Sequence, residues 1–317
     1  MGDSLLKDNK SITSTGISSG VLSGVFWGLD TALMGVILNK SPFIDTTQAL
    51  MIAPIVSAFL HDVFSSVWMM IYSILKGEFI KTIKLLKTRS GRFVALAALF
   101  GGPVGMAGYL LAINYIGAGY TASISALYPA LGAFFASVIL KEKLNSKGWI
   151  GLSISIISVM ILGYGPSTEV PQNFTLGFIF ALICVLGWSL ESVICAYGMK
   201  DDEVSSTQAL QIRQLVSATV YGFIIIPIIS GLDLTIQVAT SPIIWYICVI
   251  ALIGTVSYIA YYSAIDTIGP VKATGLNITY SIWAIIIDVV LLGGSITPKL
   301  ILCSTLIIIG STMVSKN

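Results

Sequence analysis

Apolar residues along this chain come in long runs rather than in alternation, and Gly, Pro, Asn and charged residues punctuate them. A helix needs roughly 20 apolar residues to cross the hydrocarbon core of a bilayer, and many of the runs reach that length. Read this way, the pattern predicts ten spans, at 17–38, 49–75, 93–113, 118–140, 147–164, 174–199, 207–230, 243–268, 271–293 and 298–315. The predicted fold class is an all-α integral membrane protein of ten transmembrane helices. Residues 1–16 form a polar segment ahead of the first run. They lack the short apolar stretch and cleavage site of a signal peptide.

The basic residues test the count. With the N-terminus inside, the inner segments hold Lys7, Lys10, Lys76, Lys81, Lys84, Lys87, Arg89, Arg92, Lys141, Lys143, Lys147, Lys200, Lys272 and Lys316. The outer segments hold only Lys40 and Lys299, and Arg213 falls within the seventh span. By the positive-inside rule both termini are cytoplasmic. An added or missing span would scramble this asymmetry.

Composition agrees. Of 317 residues 56% are hydrophobic and 10% charged, against roughly 25% charged in a soluble domain. The net charge of +2 implies no acidic polymer partner, and no basic patch interleaved with aromatics suggests nucleic acid. The four cysteines (Cys184, Cys195, Cys248 and Cys303) lie inside apolar runs and form no C-x-x-C pair. With a single histidine, a Cys/His metal site lacks ligands. No metal or cofactor is implied.

The two halves echo each other. Val25-Phe26-Trp27-Gly28-Leu29-Asp30 returns as Leu186-Gly187-Trp188-Ser189-Leu190-Glu191, with Trp, Leu and the acid displaced by 161 positions. Further on, Gly102, Tyr109, Ala112, Ile113, Ile116, Gly117 and Tyr128 return as Gly254, Tyr261, Ala264, Ile265, Ile268, Gly269 and Tyr280, displaced by 152. That second displacement sets His61-Asp62 opposite Arg213-Gln214 and Ser65 opposite Ser217. The expected units are thus residues 17–164 and 174–315. Five spans per unit is an odd number, so the second repeat enters the membrane from the opposite side. Inverted repeats of this kind put a substrate site at the repeat interface near the midplane and work by alternating access.

Ten spans in two five-helix repeats resemble the drug/metabolite transporter superfamily, EamA branch, over nearly the whole chain. Several strings are similar to the LicB-type bacterial choline permeases. These are Leu22-Ser23-Gly24-Val25-Phe26-Trp27-Gly28-Leu29, His61-Asp62, Gly102-Pro103-Val104-Gly105-Met106, Ser123-Ile124-Ser125-Ala126-Leu127-Tyr128-Pro129-Ala130 and the Trp188/Glu191 segment. The superfamily often closes its fourth and ninth helices with Glu; here the first half has Glu142 and the second Gly293-Gly294. The resemblance implies import of choline or a similar quaternary amine across a bacterial plasma membrane.

The candidate site starts from Trp27 and Asp30, three residues apart and so on one helix face, near mid-span. Trp188 and Glu191 repeat the arrangement, and the expectation is two indoles and two carboxylates around one central volume. A quaternary ammonium cannot donate a hydrogen bond and is held by several aromatic faces and a diffuse negative field. Either Trp can instead serve membrane packing. Asp30 and Glu191 can line a pathway, tie helices together, stay protonated or carry a coupling proton. Tyr258, Tyr261 and Tyr262 lie within one turn, Tyr258 sharing a face with both others. Tyr261 and its repeat mate Tyr109, together with Tyr128, complete the aromatic candidates. His61 and Asp62, in mid-span, either line the cavity or bond to neighbouring helices. Arg213 either snorkels to the inner face or pairs with an acid. Pro54, Pro103, Pro129 and Pro227 fall within spans as kinks or backbone-opening points. The alternative function is export of amino acids or other small metabolites, which needs a partner for a carboxylate. A membrane enzyme lacks both a nucleophile–base pair and a metal cluster.

Overall fold

The computed structural model describes residues 2–139, 141, 145–163, 173–198, 204–268, 273, 276–294 and 296–315. The side chains up to Thr13, Glu142 and the side chain of Asp266 lie outside the described residues. All regular structure among the described residues is helical: α1 (Gly2–Leu38), α2 (Thr47–Leu75), α3 (Phe79–Leu85), α4 (Arg89–Leu99), α5 (Ala107–Ser125), α6 (Tyr128–Ile139), α7 (Ser146–Gly163), α8 (Phe174–Gly198), α9 (Ser206–Val220), α10 (Leu232–Thr240), α11 (Ile243–Ile268), α12 (Tyr280–Leu292) and α13 (Pro298–Ser315). Among the described residues six stretches are long and apolar enough to cross a membrane: Ser14–Leu38, Thr47–Leu75, Arg89–Ser125, Phe174–Gly198, Ser206–Ile228 and Ile243–Ala264. Four shorter apolar helices accompany them, Tyr128–Ile139, Ser146–Leu162, Tyr280–Leu291 and Pro298–Met313.

Local chemistry sets the helix starts. Thr46 caps α2 by accepting from the Ala49 amide, and Thr88 caps α4 by accepting from Gly91. Ser205 and Gln208 form a reciprocal capping box on α9. Each cap satisfies amides that a helix start leaves without partners. Two short helices, α3 and α10, form in stretches read from sequence as loops; they are too short to span, and they pack on α2 and α9 and on α2 and α11 respectively. Outward-facing apolar side chains such as Leu75, Phe223, Ile228 and Val290 stay exposed, as lipid contact requires.

Helices from the first half pack on helices from the second. α1 lies against α11 and α12, α2 against α9 and α11, α5 against α8, α4 against α8 and α9, and α7 against α13. Small residues permit close approach. At Gly28 an added methyl would come within 2.9 Å of the Ala284 backbone nitrogen. Buried hydroxyls fasten the halves: Ser65 to Thr255 at 2.7 Å, Ser257 to the Ser23 carbonyl at 2.7 Å and Ser123 to Ser304 at 2.7 Å. Such bonds hold helices together where packing has no hydrophobic drive.

Candidate functional site

Irregular backbone surrounds the centre of the bundle. Phe100–Met106 forms a π-turn around Pro103 between α4 and α5. Pro103 has no N–H, so the regular ladder is interrupted, and two carbonyls find side-chain donors. The Trp188 indole N–H donates to the Gly101 oxygen at 3.2 Å, and the Tyr221 hydroxyl to the Gly102 oxygen at 3.1 Å. A second π-turn, Tyr221–Ile225, precedes Pro227. The helix after Gly117, which has φ 79° and ψ 166°, breaks again between Ser125 and Tyr128. Carbonyls at that break accept from Ser311 onto Ala126 at 3.0 Å and from Ser189 onto Tyr128 at 2.9 Å. Tyr128 opens α6 and Tyr280 opens α12. Pro54, by contrast, sits inside an unbroken α2.

Tyr128 and Tyr280, at the starts of α6 and α12, border a cavity of about 430 Å³, in the range of small-molecule sites. Seven aromatic side chains line it, Trp27, Trp188, Tyr128, Tyr258, Tyr261, Tyr262 and Tyr280. Trp27 stands 5.9 Å from Trp188 and 5.1 Å from Tyr258, centroid to centroid, and Trp188 stands 5.6 Å from Tyr128. The indoles from the two halves therefore do meet. Glu191, Arg213, Asn277 and Cys195 also face the cavity.

Beside the rings runs a buried ionic chain. The Arg213 Nε donates to Glu191 Oε1 at 2.8 Å, and its Nη1 donates to the Gln214 side-chain oxygen at 3.1 Å. Its guanidinium lies 5.5 Å from the Tyr258 ring centroid. Asp62 Oδ1 lies 4.0 Å from Arg213 Nη1 and 3.7 Å from His61 Nδ1, while the Ser217 hydroxyl donates to Asp62 Oδ2. His61 Nε2 sits 2.9 Å from Asp30 Oδ2. Each half thus contributes one acid–base pair, Asp30 with His61 and Glu191 with Arg213. The members match at the displacements found in the sequence. Glycines leave room for both acids. A methyl at Gly254 would lie 2.7 Å from Asp30 Oδ2, and one at Gly101 would strike the Glu191 carboxyl.

Of the residues singled out from sequence, Trp27, Trp188, Glu191, Tyr258, Tyr261 and Tyr128 line the cavity. Tyr109 does not. It is wholly buried behind the two indoles, 4.9 Å from Trp188, with its hydroxyl bonded to Thr31 at 2.6 Å. Asp30, His61 and Asp62 are buried away from the cavity wall. The expectation of two carboxylates at the cavity is corrected to one, because His61 and the backbone at Gly254 enclose Asp30. Arg213 points inward and does not snorkel. Tyr262, Tyr280 and Asn277 are cavity residues that sequence reasoning did not rank. The repeat match of Tyr280 to Tyr128 was the available signal for the second of these. Among the described residues no group of three His, Cys, Asp or Glu side chains could hold a metal ion.

Interrupted helices, an aromatic cavity, an apolar exterior and a buried ionic chain fit a solute carrier. The chain belongs to the EamA-like transporter family, whose pattern matches residues 14–164 and 175–316. It is a multi-pass membrane transporter. It is 34% identical to Protein LicB of Haemophilus influenzae over 298 residues, covering 92% of this chain and 94% of that one. It is 23% identical to an uncharacterized transporter of Clostridium kluyveri over 299 residues, 92% and 90% of the two chains. A crystal structure of a protein at 14% identity aligns over 94% of this chain and 97% of its own with a TM-score of 0.59, a likeness of fold alone.

Proposed function

We propose that this protein imports choline or a similar quaternary amine across a bacterial plasma membrane, by alternating access around the aromatic cavity. The observation that carries the reading is the set of rings, Trp27, Trp188, Tyr128 and Tyr258, grouped at 5–6 Å spacings beside Glu191. A permanent cation with no N–H to donate is best served by π faces and a nearby negative field, worth about 2 kcal/mol per good face when water is excluded. The local charge supports a cation too: three carboxyl groups, Asp30, Asp62 and Glu191, share one obligate cation, Arg213, and one titratable base, His61. An acid-rich cluster at membrane depth marks a cation path.

On this reading the chain is two inverted repeats, 17–164 and 174–315, after an N-terminal segment 1–16, with ten spans and both termini cytoplasmic. Support comes from the charge asymmetry, from the two separate family matches and from the way contacts between helices of opposite halves occur in equivalent pairs. A membrane potential of 100 mV drives a monovalent cation inward by about 2.3 kcal/mol, roughly a fiftyfold accumulation, so uptake needs no coupled ion. A coupled proton remains compatible with the buried acids. The second reading, export of amino acids or other metabolites, gains from Arg213 being at the cavity, where it could face a carboxylate.

Binding to the purified protein in nanodiscs separates them. Choline should bind, while lysine, betaine and the neutral isostere 3,3-dimethylbutanol should bind at least about tenfold more weakly. Equal binding or none by all four ends the cage reading, and a preference for the carboxylate-bearing ligands moves the choice to the second one. Uptake into proteoliposomes with an inside-negative potential then tests direction.

A further inference from the structure

Arg213 occupies the two groups that a cation in the cavity would use. Its Nε is bonded to Glu191 at 2.8 Å and its guanidinium lies over the Tyr258 ring at 5.5 Å. The same side chain has a second acid within short reach. Asp62 Oδ1 is 4.0 Å from Arg213 Nη1, too far for a hydrogen bond. Both Asp62 Oδ1 and Arg213 Nη2 are buried without a hydrogen-bond partner. A donor and an acceptor left in this state in a protein interior each carry the cost of lost hydration, and a small swing of the guanidinium would satisfy both. Ser217 already holds the other oxygen of Asp62 and so fixes the carboxylate as a receiver.

We propose that Arg213 is a tethered competitor for the substrate's cation: when that cation binds, Arg213 leaves Glu191 and Tyr258 and moves onto Asp62. The substrate then gains an aromatic face and an acid that are otherwise in use. Arg213 gains a full ion pair across the α2–α9 contact, which joins the two halves of the chain. Ligand binding is thereby tied to the packing of one half on the other. This switch rests on the cation-import reading and adds to it a residue that sets affinity by competition. A cation without enough contact to displace the guanidinium is refused, which makes Arg213 a specificity element.

The test is choline binding by calorimetry at pH 8 on wild type, R213Q, D62N and the double variant, with thermal melting to check folding. R213Q should bind choline about tenfold more tightly, because the competitor is gone, and should turn over more slowly with a lower KM. D62N, which can still accept from Ser217, should bind about tenfold more weakly, because Arg213 has nowhere to go. The double variant should match R213Q, since Asp62 has nothing to receive. A folded R213Q that binds equally or more weakly overturns the switch, as do effects of the two substitutions that simply add. A purely structural Arg213 gives the weaker result. Should R213Q not fold, unchanged affinity in D62N is decisive against the proposal. If the wild type itself binds no quaternary ammonium, the proposed function fails and the switch with it. If it binds while these variants disagree, the switch alone fails.

Discussion

The sharpest prediction concerns the two indoles, which are alike by repeat yet differ in how they are held. Trp188 is anchored by its N–H on the Gly101 carbonyl at 3.2 Å, a carbonyl exposed by the π-turn. Replacing Trp188 with Phe keeps an aromatic face but removes that donor. The lost hydrogen bond is worth about 1 kcal/mol net. The smaller ring also surrenders a fraction of the cation–π attraction, about 0.5 kcal/mol. The freed ring can pivot, so a share of the first cost appears in binding as well as in stability. The expected result for W188F is choline binding about tenfold weaker and a melting temperature lower by several degrees. Trp188→Ala and Trp27→Ala each delete a whole face worth about 2 kcal/mol, so each should weaken binding about thirtyfold. The assay is calorimetry in nanodiscs, alongside thermal melting. Wild-type affinity in a folded W188A variant would refute the cage outright. Loss of binding in W188F with no change in melting would refute the anchoring argument.

Other outcomes follow from the same geometry. Gly101→Ala puts a methyl against the Glu191 carboxyl, so it should weaken choline binding about tenfold or more while leaving the protein folded. His61→Leu strips the partner from a fully buried Asp30; breaking such a pair costs about 3–5 kcal/mol, and thermal melting should show it, with His61→Gln milder. Cys195 borders the cavity, so choline should slow its labelling by a maleimide in a variant whose other three cysteines are replaced, and an unchanged rate would place the ligand elsewhere.

The all-helical, membrane-spanning architecture could be read from the chain because the length and hydropathy of the apolar runs are one-dimensional signals. The predicted span 118–140 is where the reading was too simple. The helix breaks before Tyr128, and the run stays apolar through the break while Ser311 and Ser189, on other helices, donate to the Ala126 and Tyr128 carbonyls there. A hydropathy pattern cannot see bonds made by distant residues. The cavity was legible where residue type is distinctive, as with Trp27, Trp188, Glu191 and the Tyr258 cluster. It was not legible for Asp30, which has the same spacing from its Trp as Glu191 has. Which acid faces the cavity depends on the neighbouring helices, with Gly254 and His61 closing over Asp30. For Arg213 the two readings, snorkelling or pairing with an acid, are decided for the second. Seven residues into a span is close enough to snorkel, and only the nearness of Glu191 on α8 turns it inward.

The π-turn at Phe100–Met106 acts as a phase shift. An α-helix turns about 100° per residue, and a π-bulge behaves as one inserted residue in an otherwise regular helix. Everything from Ala107 onward is therefore rotated relative to a wheel drawn from Arg89. Tyr109 meets Thr31, and Gly108 packs so near α8 that an added methyl would lie 2.9 Å from the Phe180 carbonyl oxygen, only with that rotation in place. A deletion of one residue at Gly101–Gly102 would remove the bulge while leaving the length and hydropathy of the run almost unchanged. It would also turn the face of α5 away from α8 and strand the Trp188 and Tyr221 donors. In this protein the third apolar run carries a counting rule that its composition does not reveal, and a single lost codon there should be harder to tolerate than most substitutions.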